Sequence, residues 1–341
     1  MKRLLLPFNI CVLFLAFTLS SCSVAQTTIE APETKVSREL LENLIEQNRQ
    51  YTQEGEVADY IPELGKADPN DMAIAVVTGG GKIIEAGDTE KTFTIQSISK
   101  LIGLMLAVED RGEKEVFRRM GYYGTNKPFN HYANLETDGK PLNPMMNGGA
   151  ILTTSMIKGK GEEPYKRILD RLRYITDNPS IQIDSSVYHS EKSTGDRNRG
   201  IFYLLKSNGL IESAEGDESS LNNYFRQCSI AVSAKDLAKI GYYFAHQGTR
   251  YDGDDRYRNP EITELILSQM LIAGMYDFSG EYARTVGLPS KSGVGGGITV
   301  SVPHQMGIGT YSPALDEQGN SLAGYHMILQ LVKELGIGLF R

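Results

Sequence analysis

An uninterrupted apolar run, residues 101–108, limits how this chain can fold more than any other feature. It directly follows Gln96-Ser97-Ile98-Ser99-Lys100 and predicts a buried helix that begins at Ser97. Ser97 and Lys100 are three residues apart, so their side chains would share one helical turn. Because burial disfavours an ammonium ion, Lys100 could be neutral and take the proton from Ser97. The pattern indicates the serine–lysine form of nucleophilic catalysis.

A second match to the same spacing, Ser155-Met156-Ile157-Lys158, lies in a polar stretch. There Lys158 would be solvated and protonated, so this match predicts no chemistry. Such a pair is usually a serine at a helix start with an unrelated lysine. Other residues must therefore decide what the first pair does.

The composition suits a globular protein that does not bind nucleic acid. With 341 residues, 40% of them hydrophobic, the chain can bury a large core in one or two domains. Its net charge is −7, and it has no basic cluster, which argues against a nucleic-acid partner.

The N-terminus predicts export. Basic residues after Met1 and an apolar stretch over 4–19 indicate a signal peptide, residues 1–21, rather than a membrane-spanning helix. It ends in Leu19-Ser20-Ser21-Cys22, which resembles a bacterial lipoprotein signal in which Cys22 is lipidated. We expect a periplasmic or cell-surface lipoprotein that contacts the membrane only through that lipid. Cleavage after Ala25, giving a soluble periplasmic protein, is the alternative.

Cysteine usage excludes an intramolecular disulfide in the mature body. Cys11 and Cys22 belong to the signal region, which leaves Cys228 alone. We interpret Cys228 as a small buried hydrophobe.

The order of elements predicts an α+β fold. After a tether over 22–36, one domain spans 37–341. Its sheet-containing part covers about 37–111 and 275–341, and a helical part covers about 112–274. This gives an antiparallel sheet built from both chain ends with flanking helices. Strands are predicted at 72–77, 82–86, 298–302 and 306–311, and helices at 37–49, 163–175, 196–206, 234–247 and 321–335.

Three other patterns carry no function. Gly79-Gly80-Gly81-Lys82 lacks the phosphate-loop spacing and is interpreted as a hairpin turn. The run 293–297 does not match the dinucleotide-binding glycine pattern. The five histidines have no metal-ligand spacing, so we expect no catalytic metal.

Four further segments combine polar side chains with small residues. Asn147 precedes a glycine pair, and a charged run from Glu191 to Asn198 is predicted to lie between helices. Tyr276 occupies a predicted tight turn, and Lys291-Ser292-Gly293-Val294 opens a predicted strand. Singly, each has an ordinary structural explanation.

Together these segments resemble the serine-dependent glutaminase family, which has a serine β-lactamase-like fold. The resemblance covers nearly the whole body of the chain. It rests on matches at 57–64, 96–100, 190–198, 224–229, 274–280, 287–297 and 315–321.

The resemblance implies a role for each site residue. Ser97 would be the nucleophile, Lys100 its base and Tyr276 the proton donor to the leaving nitrogen. The backbone N–H groups of Ser97 and Val294 would form the oxyanion hole. Glu191 would bind the substrate ammonium group. The residues implied to bind substrate are Tyr60, Ser97, Asn147, Glu191, Asn198, Tyr224, Tyr276 and Val294.

The implied reaction is hydrolysis of L-glutamine to L-glutamate and ammonia, without a cofactor or metal. The implied assembly is a homo-oligomer, a dimer or a tetramer. The chain departs from the family pattern at Gly148 and at Arg199-Gly200, where Arg199 could change the charge of the pocket. Export is also unusual, since these enzymes are mostly cytoplasmic.

Two alternatives use the same residues differently. A penicillin-binding protein or β-lactamase would also need Ser97 and Lys100 and would also be exported. A non-catalytic amino-acid-binding lipoprotein would need neither a nucleophile nor its base.

Overall fold

The computed structural model describes residues 35–135, 139–212, 214 and 217–340. The predicted signal peptide, the lipidation at Cys22 and most of the tether lie outside these residues. Within them, no helix is both long and apolar enough to cross a membrane.

A five-stranded antiparallel sheet lies at the centre of the described chain, in the order β3-β2-β8-β7-β6. Two of its strands come from residues 73–87 and three from residues 290–311, which confirms the α+β expectation. Two two-stranded pairs, β1 with β9 and β4 with β5, lie outside it. The strands are β1 (Glu56–Val57), β2 (Ala73–Val77), β3 (Ile83–Gly87), β4 (Phe93–Thr94), β5 (Ala231–Val232), β6 (Ser290–Gly293), β7 (Gly297–Val302), β8 (Met306–Tyr311) and β9 (Ala314–Leu315).

Twelve α-helices of the described residues surround the sheet or form the helical part. They are α1 (Arg38–Asn48), α2 (Lys100–Arg111), α3 (Glu113–Arg118), α4 (Asn147–Met156), α5 (Glu163–Thr176), α6 (Ser185–Thr194), α7 (Asp196–Ser207), α8 (Ser219–Cys228), α9 (Ala234–Ala245), α10 (Pro260–Ala273), α11 (Ser279–Thr285) and α12 (Leu322–Leu335). The predicted helices at 37–49, 163–175, 196–206, 234–247 and 321–335 are confirmed within two residues at each end.

The two faces of the sheet differ because the side chains of β8 alternate. Ile308 faces the apolar cluster that α1 and α12 form with the sheet. Gly307 and Gly309 face α9, and a Cβ added to Gly309 would lie 2.2 Å from the Ala234 carbonyl oxygen. The helix therefore approaches the strand so closely that only glycine fits. The Thr299 hydroxyl on β7 also donates to the Leu237 carbonyl oxygen at 2.7 Å.

The hairpin of β2 and β3 forms as predicted. Val77 pairs with Ile83, and the Thr78 N–H donates to the Lys82 carbonyl oxygen at 2.9 Å. Gly81 at the tip has φ +78°, a conformation that glycine adopts without strain. The glycine run 79–81 is thus a turn, as the sequence indicated.

The helix predicted to begin at Ser97 begins later. Residues Gln96–Ser99 form a 3₁₀ turn, and the α-helix starts at Lys100. Residues Lys100 to Val108 are all buried, so the prediction of a buried helix over the apolar run is confirmed. The helix packs against α4, α5 and α10 in the larger apolar cluster.

Candidate active site

One cavity of about 1150 Å³ brings together residues that are far apart in the sequence. All eight side chains that were predicted to bind substrate line it. Lys100 lies beneath the cavity and is fully buried. The residues implied by the resemblance therefore meet in one place, although their individual roles remain predictions.

Ser97 lies in a strained turn at the base of the cavity. The preceding residue, Gln96, has φ +48°, which is uncommon for a residue with a side chain. The Ser99 hydroxyl donates to the Gln96 carbonyl oxygen at 2.7 Å, and the Ile95 N–H donates to the Ile230 carbonyl oxygen at 2.8 Å. Backbone strain that surrounding contacts keep in place is typical of functional sites.

Lys100 is held so that it can act as a base. Its Nζ donates to the Met145 carbonyl oxygen at 2.9 Å and to Asn147 Oδ1 at 2.8 Å. Burial lowers the pKa of Lys100 to about 8, against weaker opposing effects of Cys228 and Glu191. A neutral amine has two N–H groups and one lone pair, so it can make both bonds and still accept a proton.

Tyr276 connects the serine turn to the end of strand β6. Its hydroxyl lies 3.3 Å from the Ser292 carbonyl oxygen, and it is within hydrogen-bonding reach of the Ser97 side chain and the Val294 N–H. Burial raises the pKa of Tyr276 above its usual value, so the phenol keeps its proton at neutral pH. Its φ of +54° is also unusual, and the Ser279 hydroxyl fixes this turn by donating to the Tyr276 carbonyl oxygen at 2.6 Å.

The glycines around Val294 serve backbone packing. A Cβ on Gly293 would lie 2.7 Å from the Ile95 carbonyl oxygen, and one on Gly295 would lie 2.3 Å from the Thr94 carbonyl oxygen. Small residues here allow β6 to lie directly against the segment that leads into Ser97. These contacts give a structural reason for the glycine run 293–297.

The cavity also carries a buried carboxyl group, that of Glu191. Glu191 is 6% exposed, and its Oε2 atom has no hydrogen-bond partner among the described residues. Burial raises the pKa of Glu191 to about 8, although a hydrogen bond from Gln96 and the charge of Lys100 oppose the shift. Ionising this buried carboxyl group is costly unless a cation binds beside it.

Amide and phenol groups from three helices line the same cavity as Glu191. Asn147 begins α4, and its Nδ2 donates to Oδ1 of Asn198 on α7 at 3.0 Å. Tyr224 on α8 is 2% exposed.

The expectation that the run 191–198 lies between helices is wrong. Glu191 belongs to α6 and Asn198 to α7, and the helices meet at Gly195. A Cβ on Gly195 would lie 2.6 Å from Phe225 Cζ, so glycine is needed where the chain passes α8.

Sequence reasoning assigned no role in the site to two buried residues, Lys291 and Cys228. Lys291 on β6 is fully buried; its Nζ donates to the Ser292 carbonyl oxygen at 2.7 Å and lies 4.6 Å from the centre of the Tyr276 ring. Burial lowers the pKa of Lys291 well below its usual value. The sequence pattern that could have indicated Lys291 as a site residue is its position between two serines on a predicted strand.

Cys228 is buried as predicted, but it lines the cavity. Its thiol is within hydrogen-bonding reach of Ser99, Tyr224 and Glu191. Describing it only as a small hydrophobe was therefore incomplete.

Two further candidates, Tyr60 and Arg199, differ in their relation to the cavity. Tyr60 lines it and is 59% exposed, and burial together with nearby Tyr276 and Glu191 raises the pKa of its hydroxyl. Arg199 does not line the cavity. Its guanidinium group instead donates to the Lys192 carbonyl oxygen at 2.7 Å and lies 3.8 Å from the Glu218 carboxylate. Its charge is thus balanced outside the site.

Lys158 of the second serine–lysine match is exposed, as expected. The part of the chain that the structure describes contains no group of three His, Cys, Asp or Glu side chains able to hold a metal ion.

Known proteins resemble this chain in sequence. The family model described as Glutaminase matches residues 55–340. Glutaminase 2 of Clostridium perfringens is 49% identical over 306 residues, covering 89% of this chain and 100% of the relative.

Solved structures also resemble the chain. A probable glutaminase, ybaS, has a TM-score of 0.83 and 36% identity, covering 90% of this chain and 100% of that one. The covalent complex of Bacillus subtilis glutaminase YbgJ with 5-oxo-L-norleucine, formed by reaction with 6-diazo-5-oxo-L-norleucine, has a TM-score of 0.79 and 32% identity and covers 89% of this chain and 99% of that one. The chain thus has the serine β-lactamase-like fold that was expected.

Proposed function

The chain belongs to the glutaminase family, and from that premise we propose that it hydrolyses L-glutamine to L-glutamate and ammonia through an ester on Ser97. One observation supports this most: a single cavity holds an unpaired buried carboxylate oxygen of Glu191 and, at its base, Ser97 above the buried Lys100. The penicillin-binding and non-catalytic alternatives are not favoured, since the relatives at 46–49% identity are named glutaminases.

The first step forms the ester. Lys100 accepts the Ser97 proton, and Ser97 Oγ attacks the side-chain carbonyl carbon of glutamine. The negative oxygen accepts hydrogen bonds from the backbone N–H groups of Ser97 and Val294. A donor in such a position contributes about 3 kcal/mol to transition-state stabilisation.

The carbon–nitrogen bond then breaks, and ammonia leaves with a proton from Tyr276. The raised pKa of the phenol supports this role, because the group is protonated when the nitrogen needs a proton. The proton that Lys100 took from Ser97 then returns to Tyr276, so that both groups regain their starting protonation. Water attacks the ester in the second step, and Lys100 accepts a proton from that water. Lys100 passes this proton to Ser97 Oγ as the ester bond breaks, so glutamate departs and the Ser97 hydroxyl is restored.

Substrate recognition uses the charged end of glutamine. Its ammonium group would pair with Glu191, and its carboxylate would accept from Asn198 and Tyr224. Fixing both charges places the side-chain amide over Ser97. The direct test is coupled detection of ammonia with glutamine and asparagine as substrates, since ammonia is the product that both would release. Release from glutamine alone supports the proposal, and no release from glutamine refutes it.

Glu191→Gln is expected to raise KM by an amount corresponding to about 1–3 kcal/mol, with a smaller change in kcat. The substitution keeps the shape of the side chain but removes the partner of the ammonium group. Comparison with desamino-glutamine sharpens the test. The wild type should strongly prefer glutamine, and the variant should lose most of that preference. An unchanged preference would contradict the role of Glu191.

We also propose that the chain is exported as a lipoprotein with Cys22 lipidated, and that it assembles as a dimer or tetramer. The signal-like sequence supports export and lipidation. Exposed apolar side chains, such as those of Tyr123 and Ile272, support the assembly. Labelling cells with an alkyne fatty acid should mark the wild type but not Cys22→Ser. Equal labelling of both would contradict lipidation, and a monomer in light scattering would contradict the assembly.

A further inference from the structure

The cavity is larger than glutamine requires. Its volume of about 1150 Å³ exceeds the upper range of pockets that hold drug-sized ligands, roughly 1,000 Å³. A free amino acid is much smaller than such ligands. If glutamine binds between Glu191 and Ser97, as in the proposed function on which this inference rests, part of the cavity is left unused.

One part of the cavity wall is formed by β1, the residue after Tyr276 and the loop that follows β9. We call the space beside it the outer chamber; its lining residues include Glu54, Glu56, Asp59, Asp277, Glu317 and Gly319. Gly319 is at the tip of the loop that follows β9, with φ +92°. A Cβ there would lie 3.5 Å from Val294 Cγ1 and 3.7 Å from Tyr276 Cε2. The loop tip therefore rests against the residues that would flank the leaving nitrogen, and a substituent on that nitrogen would extend into the outer chamber.

The walls of the outer chamber are acidic. The side chains of Asp277 and Glu317 are exposed and make no hydrogen bond or ion pair within the described part of the chain. The neighbouring Asp316 differs, because its carboxylate accepts from the Asn320 N–H at 2.8 Å and shapes the loop. Arg197 is the one lysine or arginine among the lining residues of the described chain, and it donates to Asn130 Oδ1 at 3.2 Å. An anionic group would be repelled here and a cationic one attracted.

We propose that the enzyme also hydrolyses N-substituted γ-glutamyl amides, and that it prefers amides of cationic amines to amides of anionic ones. The chemistry is that of glutamine. Ser97 forms the ester as the carbon–nitrogen bond breaks, the amine leaves with a proton from Tyr276, and water releases glutamate. Only the leaving group differs, and it occupies the outer chamber.

A matched series of γ-glutamyl amides tests this. The amides of 1,4-diaminobutane, n-butylamine and 4-aminobutanoate have similar lengths but carry a positive, neutral or negative end. All three should be hydrolysed, with kcat/KM for the cationic amide at least about fivefold above that for the anionic one at low salt. The preference should shrink as ionic strength rises. Hydrolysis of glutamine without hydrolysis of any of the three would overturn the inference alone. Failure with glutamine itself would instead refute the proposed function.

A double variant, Asp277→Asn with Glu317→Gln, tests the acidic wall. The ratio of kcat/KM for the cationic amide to that for the anionic amide should fall toward one. A change in activity that affects both amides equally cancels in this ratio. Glu39→Gln with Glu261→Gln, two exposed carboxylates in the first turns of α1 and α10, is the matched control and should leave the ratio unchanged. An unchanged ratio in the chamber variant, or an equal fall in the control, would overturn the assignment.

Discussion

Replacing Ser97 by alanine is expected to lower kcat by at least ~10⁴-fold, because the ester cannot form without the hydroxyl. Glutamine should still bind, since Glu191, Asn198 and Tyr224 are unchanged. Turnover would be measured by glutamate release, and binding by calorimetry on the same preparation. Loss of turnover with retained binding is the pattern expected of a missing nucleophile.

The sequence offers a matched control for this change. Ser155 is the serine of the other serine–lysine match, and its hydroxyl donates to the Leu152 carbonyl oxygen at 2.7 Å, away from the cavity. Ser155→Ala should retain nearly full activity. If Ser97→Ala kept substantial activity, the nucleophile would have to be another residue.

Lys100→Met is expected to lower kcat by about 10³-fold, because methionine fills the buried space but cannot accept the Ser97 proton. The wild-type kcat should rise with pH and level off above about pH 8, since burial lowers the pKa of Lys100 to about 8 and only the neutral amine acts as a base. The residual activity of the variant should lack this rise. A pH profile with the same rise in both proteins would contradict the assignment of Lys100.

The same variant should be more stable, which separates loss of chemistry from loss of folding. The pKa of Lys100 is lower in the folded chain than in the unfolded chain, so the unfolded chain binds the proton more tightly. The folded state is therefore penalised at every pH below about 8, and the penalty disappears as the pH rises through the unfolded value. At pH 7, Lys100→Met should raise Tm by a few degrees. Lys158→Met, at an exposed lysine, should change neither Tm nor kcat appreciably.

Much of the scaffold could be predicted because local patterns determine it. The hairpin of β2 and β3 follows from two apolar runs around a glycine turn, and β7 and β8 follow from alternating residues around residues 303–305. The resemblance to a known family placed Ser97, Glu191 and Tyr276 in one site before any contact was available.

The details that were missed depend on tertiary contacts. Nothing local indicates that Gln96 adopts φ +48°, because the contact between Ile95 and Ile230 spans more than a hundred residues. Cys228 and Lys291 likewise reach the site only when α8 and β6 pack beside the serine turn. Charge on an exposed helix is also hard to interpret locally, and Arg199 is balanced by Glu218 outside the cavity.

The central claim is that the Ser97 hydroxyl is the group that attacks the substrate. The most direct measurement is mass spectrometry of peptides from enzyme inactivated with 6-diazo-5-oxo-L-norleucine, the compound that formed a covalent complex with the Bacillus subtilis glutaminase. We expect one added 5-oxo-norleucine group per chain, on Ser97, and no stable label on Ser97→Ala. A label on any other side chain of the inactivated wild-type enzyme would contradict the proposed mechanism.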